Sequence, residues 1–281
     1  MNFINLLKSS NSNYTLIRAT NNNQLNGINL LEKYNSLSNS NLSNLNRYTI
    51  LLEPGVYDLK NSSLILNKDF IDIIGTDPSS KSVVKSTIGI PLNGVINQIA
   101  DNVKLVNLQI ANVNTTYSYP WVIYHYILSP NELNYYENLL HTVPCAYFRN
   151  IPINISKGNT YLENVIFESI NQSIFTTRIG VDYDGEYKDC EAGPYAFGFK
   201  GTANGKYINC KAREFSFGSF GSEVNGYFEN CIGGSNCFGY SALSVKGLFK
   251  NCSANNKSFG IDSIQNNGQF INCNTEFILE G

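Results

Sequence analysis

The densest group of ionisable side chains in the chain is Arg178, Asp182, Asp184, Glu186, Asp189 and Glu191. Paired carboxylates cleave glycosidic bonds when they stand about 5–5.5 or 6.5–9.5 Å apart on either side of the bond. Asp182 and Asp184 alternate, so on an extended strand they share a face. With Arg178 just before them, they are the catalytic candidates. The competing expectation is a solvated bend, because Asp189 belongs to a repeated turn and is not free for chemistry.

Thiols are the second possible chemistry. Five of the seven cysteines, Cys190, Cys210, Cys231, Cys252 and Cys273, follow one another at steps of 20, 21, 21 and 21 residues. Each closes the same phrase. A glycine opens it (Gly185, Gly205, Gly226, Gly247, Gly268). An aromatic stands two residues on (Tyr187, Tyr207, Phe228, Phe249, Phe270). Asp189, Asn209, Asn230, Asn251 or Asn272 then precedes the cysteine, and a Phe-Gly pair recurs downstream at Phe197, Phe217, Phe238 and Phe259. A period this regular means one unit stacked on copies of itself. Stacked strands lie about 4.8 Å apart, beyond the roughly 3.5–4.5 Å between Cβ atoms of a disulfide, and an odd number of cysteines cannot pair fully. The row is therefore expected to be reduced, buried thiols acting as small hydrophobes. A straight row on one wall does not surround an ion tetrahedrally, so no metal and no cofactor are expected.

The elements that carry these residues are strands. A 21-residue unit is too short for most helix-pair repeats, and its apolar positions lack helical spacing. Short alternating stretches broken by Gly and Asn fit strands and turns. Leucine-rich repeats need a Leu-x-x-Leu-x-Leu frame that is missing, and no five-residue subperiod marks a pentapeptide helix. Stacked units place the aromatics in one inner row, the cysteines in another and the asparagines in a ladder at a bend. There each amide is expected to satisfy backbone groups of the next coil.

These rows resemble the right-handed parallel β-helices of the pectin-lyase-like superfamily, known for an asparagine ladder and inner stacks of like residues. Leu105-Val-Asn107-Leu108 and Leu162-Glu-Asn164-Val165 repeat the core of the phrase upstream. The run Tyr48 to Tyr57 with its Pro54-Gly55, then Leu64 to Leu66, then Phe70 to Gly75, is similar to the opening coils of that superfamily. The likeness covers about 48–281. It implies an all-β single-stranded solenoid of about 21 residues per coil. Among relatives of this kind, lyases use acidic calcium ligands with a basic proton acceptor, and hydrolases use clustered aspartates. The hydrolase segments Asn-Thr-Asp, Asp-Asp, Gly-His-Gly and Arg-Ile-Lys are absent, and neither His125 nor His141 lies in a matching context.

Two segments depart from the period. Residues 1–47 are Asn/Ser-rich with one amphipathic stretch, Leu25, Ile28, Leu31, Tyr34 and Leu37, expected as the apolar face of a helix that caps the open end of the solenoid. Residues 112–159 form an aromatic-rich excursion from the 48–281 β-helix. Its Tyr117, Tyr119, Trp121, Tyr124, Tyr126, Tyr135 and Tyr136 are the candidates for ligand or partner contact, since insertions gather on one face of a solenoid.

Composition narrows the function classes. Charged residues are 15% of 281 and the net charge is −2, which argues against a nucleic-acid footprint. No apolar window is long enough to span a membrane, and the N-terminus lacks the basic and apolar regions of a signal peptide. Reduced thiols point to synthesis in a reducing cytoplasm. The leading expectation is a non-catalytic structural or adhesive β-helix that makes protein or glycan contacts as a homo-oligomer or within a larger assembly. Resemblance to phage tail and spike proteins implies a capsid-associated, tail or spike component of a virion. A carbohydrate-active lyase or hydrolase centred on Asp182, Asp184 and Arg178 is the alternative, and a glycan-binding module the second.

Overall fold

A computed structural model describes residues 13–89, 93–114, 151–155, 160–169, 177–179, 185–193, 196–197 and 203–275. Ten parallel strands form one long sheet in the order Asn13–Ile17, Tyr48–Leu52, Ile71–Gly75, Val103–Val106, Thr160–Glu163, Glu186–Lys188, Lys206–Ile208, Tyr227–Glu229, Leu248–Lys250 and Gln269–Ile271. Each strand pairs with its equivalent one coil later. Tyr187 faces Tyr207, Tyr207 faces Phe228, Phe228 faces Phe249 and Phe249 faces Phe270. Upstream the loops between strands lengthen: Ile50 pairs with Ile73, Ile73 with Leu105 and Leu105 with Leu162. Two four-stranded parallel sheets form other walls, one of them Leu64–Leu66, Gly94–Gln98, Ile151–Ile155 and Thr177–Ile179. The β-helix has thus resumed by Ile151. It also begins ahead of residue 48, since Asn13–Ile17 already pairs with Tyr48–Leu52.

The core follows the columns of the repeat. The first aromatic row stacks at centroid distances of 5.0, 4.8, 4.6 and 4.8 Å from Tyr187 to Phe270. The Phe-Gly row stacks beside it at 5.2, 4.7 and 5.1 Å from Phe197 to Phe259. Rings of the two rows meet edge to face, as Phe228 and Phe238 do at 6.1 Å and 86°. Both are favoured aromatic geometries. The glycine that opens each phrase is required by close coil packing: a Cβ on Gly226 would lie 2.4 Å from the Gly205 carbonyl oxygen.

The turns explain the asparagines. Asn107, Asn164, Asp189, Asn209, Asn230, Asn251 and Asn272 all have φ between 52° and 56°, a left-handed conformation that Asn and Asp tolerate best after glycine. The ladder closes differently from the expectation. Asn209, Asn230, Asn251 and Asn272 donate Nδ2 to the side-chain oxygen of the preceding column member, at 2.9, 3.1, 3.2 and 3.3 Å. Side chain thus meets side chain instead of backbone, because one coil spacing separates equivalent members of the column. Only upstream does backbone enter, where Asn107 donates to the Gly75 carbonyl at 3.1 Å.

The helix Asn23–Ser36 starts at Asn22, whose side chain accepts from the Leu25 N–H. Its buried face differs from the expected one. Leu25 and Ile28 are each 44% exposed, whereas Asn26, Gly27, Leu30 and Tyr34 are buried. Gly27 allows the close approach, since a Cβ there would lie 2.2 Å from the Asp58 carbonyl oxygen. Asn26 is buried because it bonds Thr20 and Val56, donating to both carbonyls at 3.0 Å. Lys68 closes the far end, its Nζ donating to the carbonyls of Tyr34, Asn35 and Leu37 at 2.9, 2.9 and 2.7 Å. This supplies partners to the orphan carbonyls of a helix C-terminus. No helix among the described residues is long and apolar enough to cross a membrane.

Candidate functional site

The outer face of the long sheet carries a groove of about 710 Å³. Side chains alternate along a strand, so the residue before each inner aromatic, or before the inner Leu105 and Leu162, points outward. Lys104, Tyr161, Glu186, Lys206, Tyr227 and Leu248 occupy this outer column in consecutive coils and line the groove. Five strand spacings give it a length of about 24 Å. Asn204, Asn225 and Lys246 form one rim, where Asn225 donates to Asn204 at 3.0 Å. Arg47, Asn44 and Asn102 close one end.

The charges along this face are paired in a regular way. Tyr161 donates its hydroxyl to Glu163 at 2.8 Å, and Lys188 from the next coil meets the same carboxylate at 2.5 Å. Three coils on, Tyr227 donates to Glu229 at 2.8 Å and Lys250 meets that carboxylate at 3.0 Å. Between these two clasps Glu186 and Lys206 pair at 3.1 Å. Lys104 sits over the Tyr161 ring, 5.9 Å from its centroid. At the end of the groove Arg47 holds the buried Asp72 with two hydrogen bonds, Nε to Oδ2 at 2.7 Å and Nη2 to Oδ1.

These contacts set the protonation states. Burial alone raises the Glu163 carboxyl, but the hydrogen bonds from Lys188 and Tyr161 outweigh it and hold it below the ordinary value. Hydrogen bonds from Lys250 and Tyr227 do the same for Glu229. A carboxylic acid that protonates a leaving group needs the opposite shift. The two tyrosines stay neutral, Tyr161 raised by burial and by its bond to Glu163, and Tyr227 raised by its bond to Glu229. Both rings stand on the outer face about 14 Å apart, three strand spacings, with their hydroxyls fixed.

Of the catalytic candidates read from the sequence, only Arg178 falls on a described residue, and it is not among those lining the groove. Asp182 and Asp184 lie outside the described residues. Arg178 lies on the strand Thr177–Ile179, which pairs with Ile151–Ile155 on a different wall. Glu186 belongs to the groove and Asp189 to the turn ladder. Tyr117, Tyr119, Trp121, Tyr124, Tyr126, Tyr135 and Tyr136 lie outside the described residues. The outer column was the missed signal. Once the inner aromatic is placed, the residue before it must face outward, and Lys206 and Tyr227 could have been read from that rule.

No protein-family model matches the sequence, and no curated protein matches it. Solved structures do. The pectin methylesterase PemA from Erwinia chrysanthemi is 11% identical, with 92% of this chain and 81% of that chain covered and a TM-score of 0.50. The pectin methylesterase from Aspergillus niger is 9% identical, with 95% and 88% covered and a TM-score of 0.51. ORF18 of Geobacillus virus E2 is 13% identical, with 99% and 63% covered and a TM-score of 0.41, too distant a likeness to bear on function. At these identities the likeness defines the fold alone: the chain is a right-handed parallel β-helix, folded like these pectin methylesterases.

Proposed function

We propose that this chain is a non-catalytic adhesive β-helix that holds an elongated ligand, a glycan strand or an extended polypeptide, along the outer face of its long sheet. The observation that carries this reading is the groove with its two pinned tyrosines and neutralised carboxylates. Fixed rings offer flat apolar surface at little entropic cost, and the lysines between them offer donors. Glu163, Glu186 and Glu229 are engaged in ion pairs, an arrangement suited to rigidity rather than proton transfer. The resemblance of the repeat to β-helices of phage tails and spikes supports a place in a virus-like particle, as a homo-oligomer made in a reducing cytoplasm. Within the 1–47 segment the helix Asn23–Ser36 acts as the cap of the β-helix, and the part of the 112–159 excursion ahead of Ile151 acts as a further contact surface.

Binding to a glycan array and to acidic and neutral polysaccharides tests the reading. Ligand should bind without turnover, and Tyr227→Ala should weaken it about tenfold, equivalent to about 1.4 kcal/mol. Turnover abolished by Asp182→Ala/Asp184→Ala would instead establish the carbohydrate-active enzyme. Binding lost in Trp121→Ala but kept in Tyr227→Ala would move the contact surface to the excursion. Light scattering should give an oligomer, and a monomer at high concentration would count against the assembly.

A further inference from the structure

The adhesive reading leaves the cysteine row without a task. Cys190, Cys210, Cys231 and Cys252 are buried, Cys273 is half-buried, and all five are free thiols. The bridges Glu191–Lys211, Lys211–Ile232 and Ile232–Ser253 follow the cysteines immediately and hold successive coils in register. The sulfurs stand one coil apart along the row and donate to backbone carbonyls at 3.4–3.6 Å. Among the described residues no three His, Cys, Asp or Glu side chains converge as a tetrahedral ion requires. A two-coordinate ion has a different requirement: two sulfurs on opposite sides, separated by twice a metal–sulfur bond. With a bond of about 2.3 Å that separation is about 4.6 Å, close to the strand spacing of about 4.8 Å.

We propose that the row Cys190–Cys210–Cys231–Cys252–Cys273 binds soft monovalent cations, copper(I) or silver(I), in linear sulfur–metal–sulfur links between successive coils. Thiolate sulfur prefers such soft ions, and the inner wall offers them no competing carboxylate. The buried Ala192, Ala212 and Ala254 stand two residues beyond their cysteines and keep the row apolar. Each ion bonds two sulfurs and displaces one thiol proton to solvent, with no change of oxidation state. Four ions fill the four gaps and release four protons. The fifth sulfur remains a neutral thiol donor, so the filled row adds no net charge to the core. Burial holds the Cys190 and Cys231 thiols well above their ordinary range, so incoming metal must displace their protons. Cys237 lies off the row, its N–H donating to Ser258 at 3.0 Å and its sulfur accepting from the Ser216 N–H at 3.4 Å.

The test uses the reduced full chain with Cys145→Ala and Cys237→Ala, which isolates the row. Silver(I), and in a second arm copper(I) as its acetonitrile complex, is titrated without oxygen. Bound ions are counted by native mass spectrometry, released protons in unbuffered solution, and the fold by circular dichroism. Four ions and four protons are expected with the β signal unchanged. Removing the central sulfur (Cys231→Ala) abolishes two gaps and should leave two ions. Removing the terminal one (Cys190→Ala) abolishes one gap and should leave three. Fewer than one ion in the parent, equal capacity in the two variants, or uptake only with loss of the β signal would each overturn the proposal.

Discussion

At the scale of single residues the turn column is the most informative feature. Asp189 is its one carboxylate. It accepts from Asn209 but has no amide hydrogen to pass on toward Asn164. Asp189→Asn restores the donor at an unchanged φ of 53°, and thermal denaturation should show a gain of about 0.5–1.5 kcal/mol. Asn230 separates two effects. Asn230→Gly keeps the left-handed turn and loses the ladder bonds. Asn230→Ala loses both and should be the less stable by about 1–2 kcal/mol more. Equal stabilities of the two variants would show that φ is not the reason for asparagine. The phrase Gly-x-aromatic-x-Asn-Cys made the ladder legible in one dimension. The direction of its hydrogen bonds was not, because an amide chooses between backbone and a neighbouring amide only once the coil spacing is set.

At the scale of elements, stacked rows and one tethered helix carry the energetics. Phe238 lies between Phe217 and Phe259 and meets Phe228 and Phe249 edge to face. Phe238→Ala should cost about 3–5 kcal/mol through the cavity it leaves. The capping helix depends on Lys68. Lys68→Met removes three bonds to its last carbonyls, and amide exchange should quicken in Asn23–Ser36 before it does in the long sheet. The clasps on the outer face predict a pH profile. Glu163 and Glu229 are depressed below 4.5, so their contribution is complete above that value and fades as pH falls through the depressed one. Lys188 and Lys250 are raised above 10.5, so theirs is complete below that value and fades as pH rises through the raised one. Stability should be flat between about pH 5 and 10, and Glu163→Gln/Glu229→Gln should flatten the acid limb in denaturation followed across pH. Strand and column positions were readable from the period. The helix face was not: counting apolar residues selected Leu25 and Ile28, but packing selected Asn26 and Gly27 because of the backbone they touch.

At the scale of the whole molecule, the solenoid behaves as a one-dimensional stack in which each coil contacts its neighbours. Removing an aromatic in the interior of the stack should therefore cost more than at its edge. Phe249→Ala, fully buried with ring neighbours on both sides, should lower the midpoint of denaturation further than Phe270→Ala, which is partly buried. Reversal of that order would mean that the edge coil is covered as fully as the interior.

The residues alone determine the architecture of this protein, because a strict period allows one way to stack and each column dictates which side chains face inward. Gly226 and Asn230 are legible for that reason, as are the two aromatic rows. The groove is a different matter. Glu186, Lys206 and Tyr227 keep the step of the repeat, but Lys104, Tyr161 and Glu186 follow one another at steps of 57 and 25 residues, since the loops between their strands differ in length. Only closing the coils brings them onto one face and pairs Glu163 with Lys188 and Glu229 with Lys250. A repeat records what each coil must do for its neighbour, whereas a binding face is made by the positions the repeat leaves free.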